Sequence, residues 1–132
     1  MKVLFICEGN IMRSQMGEVF YNHRTKTKDA FSAGAMTSDG RPVHSGVIEA
    51  MKAEGIDMTE MTSTVLTRDM FDSADKVIAF PTPYMPDWVL NDPKTEHWDV
   101  SDPYYMPDDG TNYVERARDR IKQRVEDLIK TL

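Results

Sequence analysis

The chain has 132 residues, 40% of them hydrophobic, and carries 22 acidic against 16 basic side chains for a formal net charge of −6. That length and apolar share suit one globular domain with a proper core, and the acidic balance argues against nucleic-acid binding as a main role. The single cysteine rules out an internal disulfide and suits a reducing compartment. No apolar run approaches a membrane span, and the opening run is too short for a signal-peptide core, so a cytoplasmic location away from membranes is expected. In chain order, residues 2–6, with the apolar run Val3-Leu4-Phe5-Ile6, read as a strand buried on both faces. Residues 13–23 read as a helix with Met16, Val19 and Phe20 on one side. Residues 30–33 form a second short strand ending at Gly34. Pro42 suits the first turn of a helix that carries Val43, Val47, Ile48 and Met51 on one face and is capped by Gly55. Residues 63–66 read as extended or irregular and 68–74 as a short helix, followed by a third strand over 76–80. A short helix is expected at 87–90 and a fourth strand at 97–100. Residues 112–129 form a long helix whose Val114, Ala117, Ile121, Val125 and Leu128 face inward. Strands alternating with helices at these lengths predict one α/β domain over residues 1–132, built on a parallel sheet with right-handed crossovers. His23, His44 and His97 are dispersed, and no metal site is predicted from them.

The stretch Cys7-Glu8-Gly9-Asn10-Ile11-Met12-Arg13-Ser14 joins the first strand to the first helix. A strand leading through a tight loop into a helix N-terminus binds anions, because successive backbone N–H groups and the helix dipole converge on one point. A thiol at such a place beside a guanidinium ionises readily and becomes a nucleophile. An arginine fork can hold two oxygens of a phosphate-like group while that sulfur attacks the central atom. The plainer alternative makes Cys7 a small apolar residue at a strand end and Arg13 a solvated residue in the first helical turn. Gly9 and Asn10, which tolerate left-handed backbone, and Ser14, a hydroxyl within reach of the sulfur, favour the anion loop.

The pattern Cys-x5-Arg-Ser after a short strand resembles the low-molecular-weight protein tyrosine phosphatases and the thiol-dependent arsenate reductases that share their fold. Ser32-Ala33-Gly34, Gly55-Ile56-Asp57 and Asp102-Pro103-Tyr104-Tyr105 extend the resemblance along nearly all of the chain. It implies a three-layer domain with a four-stranded parallel sheet in the order 2-1-3-4 flanked by helices. It also implies that Tyr104 and Tyr105 flank a cleft and stack on a phosphotyrosyl ring, and that Ser32 supports the loop by hydrogen bonding.

Phosphoryl transfer to sulfur needs a proton donor for the leaving oxygen and later a base for the attacking water. In an open parallel sheet ligands sit beyond the carboxyl ends of the strands, where Cys7 lies. Asp102 follows the fourth predicted strand and comes out on that edge, whereas Asp92-Pro93 precedes that strand and belongs to the opposite one. Asp-Pro is commonly no more than a turn signal. Edge placement and the resemblance together make Asp102 the candidate acid.

The reading that results is a phosphotyrosine phosphomonoesterase. Cys7 is the nucleophile, and Arg13 with the backbone amides from Glu8 through Gly9, Asn10, Ile11 and Met12 holds the equatorial oxygens, so no metal or other cofactor is required. Phosphorylated proteins, small aryl phosphates and phosphate-like oxyanions are the expected partners. Arsenate reduction is the alternative, since arsenate mimics phosphate and Arg13-Ser14-Gln15-Met16 and 98–103 look more like that branch. The reductase branch that relays a disulfide internally needs further cysteines, and this chain has none, so reduction would require an external thiol; Met12 also stands where the phosphatases often have a second cysteine. A phosphate-binding module without catalysis would not require both Cys7 and Asp102. Cleft walls are expected from residues 35–40, 45–46 and 104–110, where Asp108 and Asp109 would disfavour acidic phosphopeptides.

Overall fold

A computed structural model describes residues 1–106 and 112–132; Asp108 and Asp109 lie outside the described residues. Four strands, β1 (Val3–Cys7), β2 (Ala30–Gly34), β3 (Lys76–Ala79) and β4 (Thr95–His97), make one parallel sheet in the order β2-β1-β3-β4. This is the order the family resemblance implied. The helices are α1 (Arg13–Thr25), α2 (Ser45–Lys52), α3 (Arg68–Ser73), α4 (Asp87–Leu90) and α5 (Tyr113–Lys130).

β1 is buried at every position, and the two-residue period of a strand divides its side chains between two cores. Val3, Phe5 and Cys7 pack with Met16 and Phe20 of α1, Val47 and Met51 of α2, and Ile121 and Val125 of α5. Leu4 and Ile6 pack with Phe71 of α3 and Val89 of α4. A strand apolar on both faces between two helical layers is what the continuous run at its start requires. The approach of α1 is close. A Cβ added at Gly17 would come within 2.5 Å of Cδ1 of Phe5, so only glycine fits there. On α5, Ala117, Ile121, Val125 and Leu128 are buried, Val114 is half-buried, and Asn112 caps the helix by accepting from the N–H of Glu115.

Gly55 ends the α2 segment as expected. Its φ of +76° lets the Ile56 N–H reach Met51 O at 3.0 Å and its own N–H reach Lys52 O at 2.9 Å. Pro42 does not open that helix. α2 starts at Ser45, with His44 Nδ1 accepting from the Gly46 N–H, and Pro42 pairs instead with Thr62 in an isolated antiparallel bridge. The fourth strand also lies earlier than residues 97–100. Its register is set by β3, with Val77 opposite Thr95 and Ala79 opposite His97, and Trp98 and Val100 are buried beyond the ladder. Apolar burial marks both a strand and the segment that leaves it, so the pattern alone misplaced the element.

Candidate active site

β1 delivers Cys7 to the carboxyl edge of the sheet, and the next residues turn back into α1. The turn needs Asn10 at φ 54°, a left-handed conformation that asparagine tolerates better than most residues. Asn10 is fully buried and every polar part of it is used. Its N–H donates to Cys7 Sγ (3.3 Å), its Nδ2 to Ser14 Oγ (2.6 Å), and its Oδ1 accepts from the Thr64 N–H (2.8 Å). Ser14 Oγ lies 2.9 Å from Cys7 Sγ, in hydrogen-bond contact with the sulfur. Gln15 Nε2 donates to Asn10 O (3.2 Å) and to Thr62 O (2.9 Å), tying the loop to a segment some fifty residues away. The N–H groups of Ala35 and Met36 donate to Cys7 O and Glu8 O, each at 2.9 Å. A Cβ at Gly34 would lie 2.9 Å from Glu8 O, so glycine is needed where β2 passes beneath the loop. With its carbonyls held from below, the loop leaves the N–H groups of Glu8, Gly9, Ile11, Met12 and Arg13 with no acceptor among the described residues.

Arg13 is only 1% exposed. Its Nη1 donates to Pro81 O (3.0 Å) and Val100 O (2.9 Å), and its guanidinium lies over the Phe80 ring at 5.6 Å. Nη2 is 3.4 Å from Asp102 Oδ2, an ion pair without hydrogen-bond geometry, and neither Nε nor Nη2 makes a hydrogen bond. A buried guanidinium with two idle donors beside a sulfur and a ring of free amides is costly unless an anion occupies the space between them.

Asp102 reaches the same cleft. It caps the 3-10 turn Pro103–Tyr105, its Oδ1 accepting from the Tyr104 N–H at 3.0 Å. Segment 98–101, rather than a strand, carries it there. Tyr104 and Tyr105 are 62% and 64% exposed, and their rings meet edge to face at 5.3 Å. The Tyr105 hydroxyl donates to Glu8 Oε2, while Glu8 Oε1 accepts from Thr82 Oγ1 at 2.9 Å. That contact with the Glu8 carboxylate pushes the Tyr105 phenol up to about 12.

Cys7, Glu8, Gly9, Ile11, Met12, Arg13, Asp102, Tyr104 and Tyr105 line one cleft of about 280 Å³. Asn10 and Ser14, expected to touch substrate, lie underneath it and hold the loop. Ser32 does not support the loop. Its Oγ donates to Glu18 Oε1 at 2.6 Å, and burial raises the Glu18 carboxyl above its ordinary range while that hydrogen bond works in the opposite direction. The support expected of Ser32 comes from Asn10 and Gln15, because Ser32 lies opposite Phe5 in the ladder, well short of the strand end. Met36 lines the cleft from within the wall expected at residues 35–40, whereas Arg41 and Tyr84 also line it and were not singled out in the sequence. Arg41 lies just past that expected wall, and Tyr84 comes from loop 81–86, whose only sequence signal is that it follows a strand. Ser45 and Gly46 are not part of the lining.

The arrangement joins a cysteine sulfur, a cradle of amide donors, a cation with two idle donors and a carboxyl group in one open cleft. A family model described as low molecular weight phosphotyrosine protein phosphatase matches residues 2–132. An arsenate reductase of Bacillus licheniformis is 31% identical over 141 residues, covering 98% of this chain and 95% of that protein. A low molecular weight protein tyrosine phosphatase from T. tengcongensis superposes with a TM-score of 0.85 at 30% identity, covering 100% of this chain and 99% of the other. Wzb of Vibrio vulnificus, solved in complex with benzylphosphonate, superposes with a TM-score of 0.84 at 25% identity, covering 99% and 98%.

Proposed function

This chain belongs to the low molecular weight phosphotyrosine protein phosphatase family, and from that premise we propose that it hydrolyses phosphotyrosine esters through a phosphocysteine. The observation that carries the reading is the buried Arg13, whose Nε and Nη2 stand without hydrogen bonds in the cleft that Cys7 lines. Two phosphoryl oxygens supply the acceptors those donors lack, and the amides of residues 8–13 take the remaining equatorial charge. Cys7 sulfur attacks phosphorus in line, and Ser14 Oγ, 2.9 Å away, steadies the thiolate. As an oxyanion replaces Asp102 as partner of Nη2, the Asp102 carboxyl is left to protonate the departing phenolic oxygen. The resulting phosphocysteine is hydrolysed by a water whose proton returns to Asp102, which releases inorganic phosphate and regenerates the thiolate. Tyr104 and Tyr105 supply the aromatic wall for the phenyl ring. Hydrolysis of an aryl phosphate by Cys7→Ser at the wild-type rate would overturn this mechanism.

A second reading is favoured by the relatives named as arsenate reductases, at 30–32% identity. Arsenate would condense with Cys7 to a sulfur–arsenic adduct with loss of water. Attack of an external thiol on the Cys7 sulfur would then break that bond, reduce the arsenic to arsenite and leave a mixed disulfide for a second thiol to reduce. The only cysteine of this chain is Cys7, so both later thiols would come from outside it. A side-by-side assay of aryl phosphate hydrolysis and of arsenate reduction with small thiols separates the two.

A further inference from the structure

Two cations line the cleft, and among the described residues only one of them has an acidic partner. Arg13 stands 3.4 Å from Asp102, and the other carboxylate of the lining, Glu8, is engaged by Tyr105 and Thr82. Arg41 forms no ion pair among the described residues. Its guanidinium donates only to the Thr37 hydroxyl, from Nη1 at 3.2 Å, and remains exposed. It leans over the phosphate loop, where a Cβ added at Gly9 would lie 3.5 Å from its Nη1.

The backbone that presents it is firmly held. The Arg41 N–H donates to Ser63 Oγ (3.0 Å), Arg41 O accepts from the Ser63 N–H (2.8 Å), and the Gly40 N–H donates to Ser63 O (3.0 Å). Ser63, 3% exposed, also donates from its hydroxyl to Ser38 O at 2.6 Å, and Asp39 Oδ1 accepts from the Val65 N–H at 2.7 Å. On a chain of net charge −6, a guanidinium presented over an anion loop by a well-held backbone, with no carboxylate partner among the described residues, is a receptor for negative charge.

We propose that Arg41 is a specificity-determining residue that binds an acidic side chain next to the phosphotyrosine, so that the preferred substrates are phosphotyrosyl peptides with a flanking Glu or Asp. This rests on the hydrolase reading above. The phosphoryl group occupies Arg13 and the amides on the floor of the cleft, and the residue flanking the phosphotyrosine passes the rim, where Arg41 stands. A fork of donors suits a carboxylate, and at an exposed site the pairing adds selectivity without governing the chemistry.

The test uses two phosphotyrosyl peptides that differ only in Glu or Gln on both sides of the phosphotyrosine, with 4-nitrophenyl phosphate as a substrate that has no flanking group. Wild-type protein is expected to favour the Glu peptide in kcat/KM by about three- to fivefold, an advantage that shrinks as salt is raised. Arg41→Gln is expected to abolish the preference, with a smaller loss of kcat/KM on 4-nitrophenyl phosphate and on the Gln peptide than on the Glu peptide. Equal rates on both peptides with wild type, a preference for Gln, or an equal loss on all three substrates in Arg41→Gln would each overturn the assignment. Should wild type turn over neither peptide, the hydrolase reading falls. The affinities of Cys7→Ser and of Cys7→Ser/Arg41→Gln for the two peptides would then decide the role of Arg41 independently.

Discussion

The two sides of the cleft are built on different principles. The floor, residues 7–14, is mostly buried, and its polar side chains are anchored in place: Asn10 by Ser14 and Thr64, the neighbouring Gln15 by Asn10 and Thr62, Arg13 by two carbonyls that leave its Nε and Nη2 idle. On the rim Tyr104 and Tyr105 stand in solvent beside a buried Pro103 and a half-buried Asp102, held by the Asp102 cap and by the reach of Tyr105 to Glu8. Reacting atoms must be placed within fractions of an ångström, so the floor is over-determined. Recognition of an aromatic ring tolerates exposure, so the rim can be a short turn with two contacts. Changes to the floor should therefore cost chemistry or folding, and changes to the rim should cost mainly selectivity and leaving-group dependence.

The largest expected effect is that of Cys7→Ser, which should lower kcat for aryl phosphates by roughly 10⁴-fold or more while the fold survives, as read by steady-state kinetics and circular dichroism. Arg13→Lys keeps a charge but loses the fork and the paired bonds to Pro81 O and Val100 O. It should lower kcat by about 10²- to 10³-fold, and a milder loss would show that two-point holding of the oxyanion matters less than charge. Asp102→Asn should slow hydrolysis by about 10²-fold for poor leaving groups and much less for good ones. A leaving-group dependence identical to wild type would remove Asp102 from the acid role. Asn10→Ala breaks two buried side-chain hydrogen bonds and puts alanine at φ 54°, so urea denaturation should show a loss of about 2–4 kcal/mol.

The mildest change, Glu8→Gln, tests the link between floor and rim. Tyr105 should titrate well below about 12, toward the ordinary 10, in a tyrosinate absorbance titration read against Tyr105→Phe. Because the phenol is raised in the folded protein, its contact with Glu8 is fully present below pH 10 and is lost as pH climbs through about 12. Near neutrality the phenol stays protonated, so Tyr105 adds no pH dependence to activity there. A kcat/KM change of only about two- to threefold is expected.

The floor was the most legible part of the chain, because a strand, a loop and a helix N-terminus that follow one another directly keep Cys7 and Arg13 close whatever the rest does. Asp102 was reachable only by adding topology and a family resemblance, since 95 positions separate it from Cys7. Ser32 was misassigned for a related reason. Its place on β2 was readable, but which side chain β2 would set against it was not, and Glu18 of α1 is what arrived. Glu8 looked like a donor of its backbone amide alone, whereas its carboxylate joins Thr82 to Tyr105. Arg41 carries no local mark at all, because what distinguishes it is its place over the loop without an ion pair among the described residues, a property of the folded surface.

From residue order alone followed whatever depends on near neighbours and on period: the buried central strand, the anion loop with its sulfur and guanidinium, the inward stripe of α5 and the glycine that ends the α2 segment. Folding decided what depends on distant partners. The register of β4, the anchoring of the loop by Thr62 and Thr64, the idle donors of Arg13 and the placing of Arg41 over the loop each arise where segments far apart in sequence meet. Backbone geometry and side-chain periodicity act over a few residues, whereas hydrogen-bond satisfaction and charge pairing are settled only when the whole chain has packed.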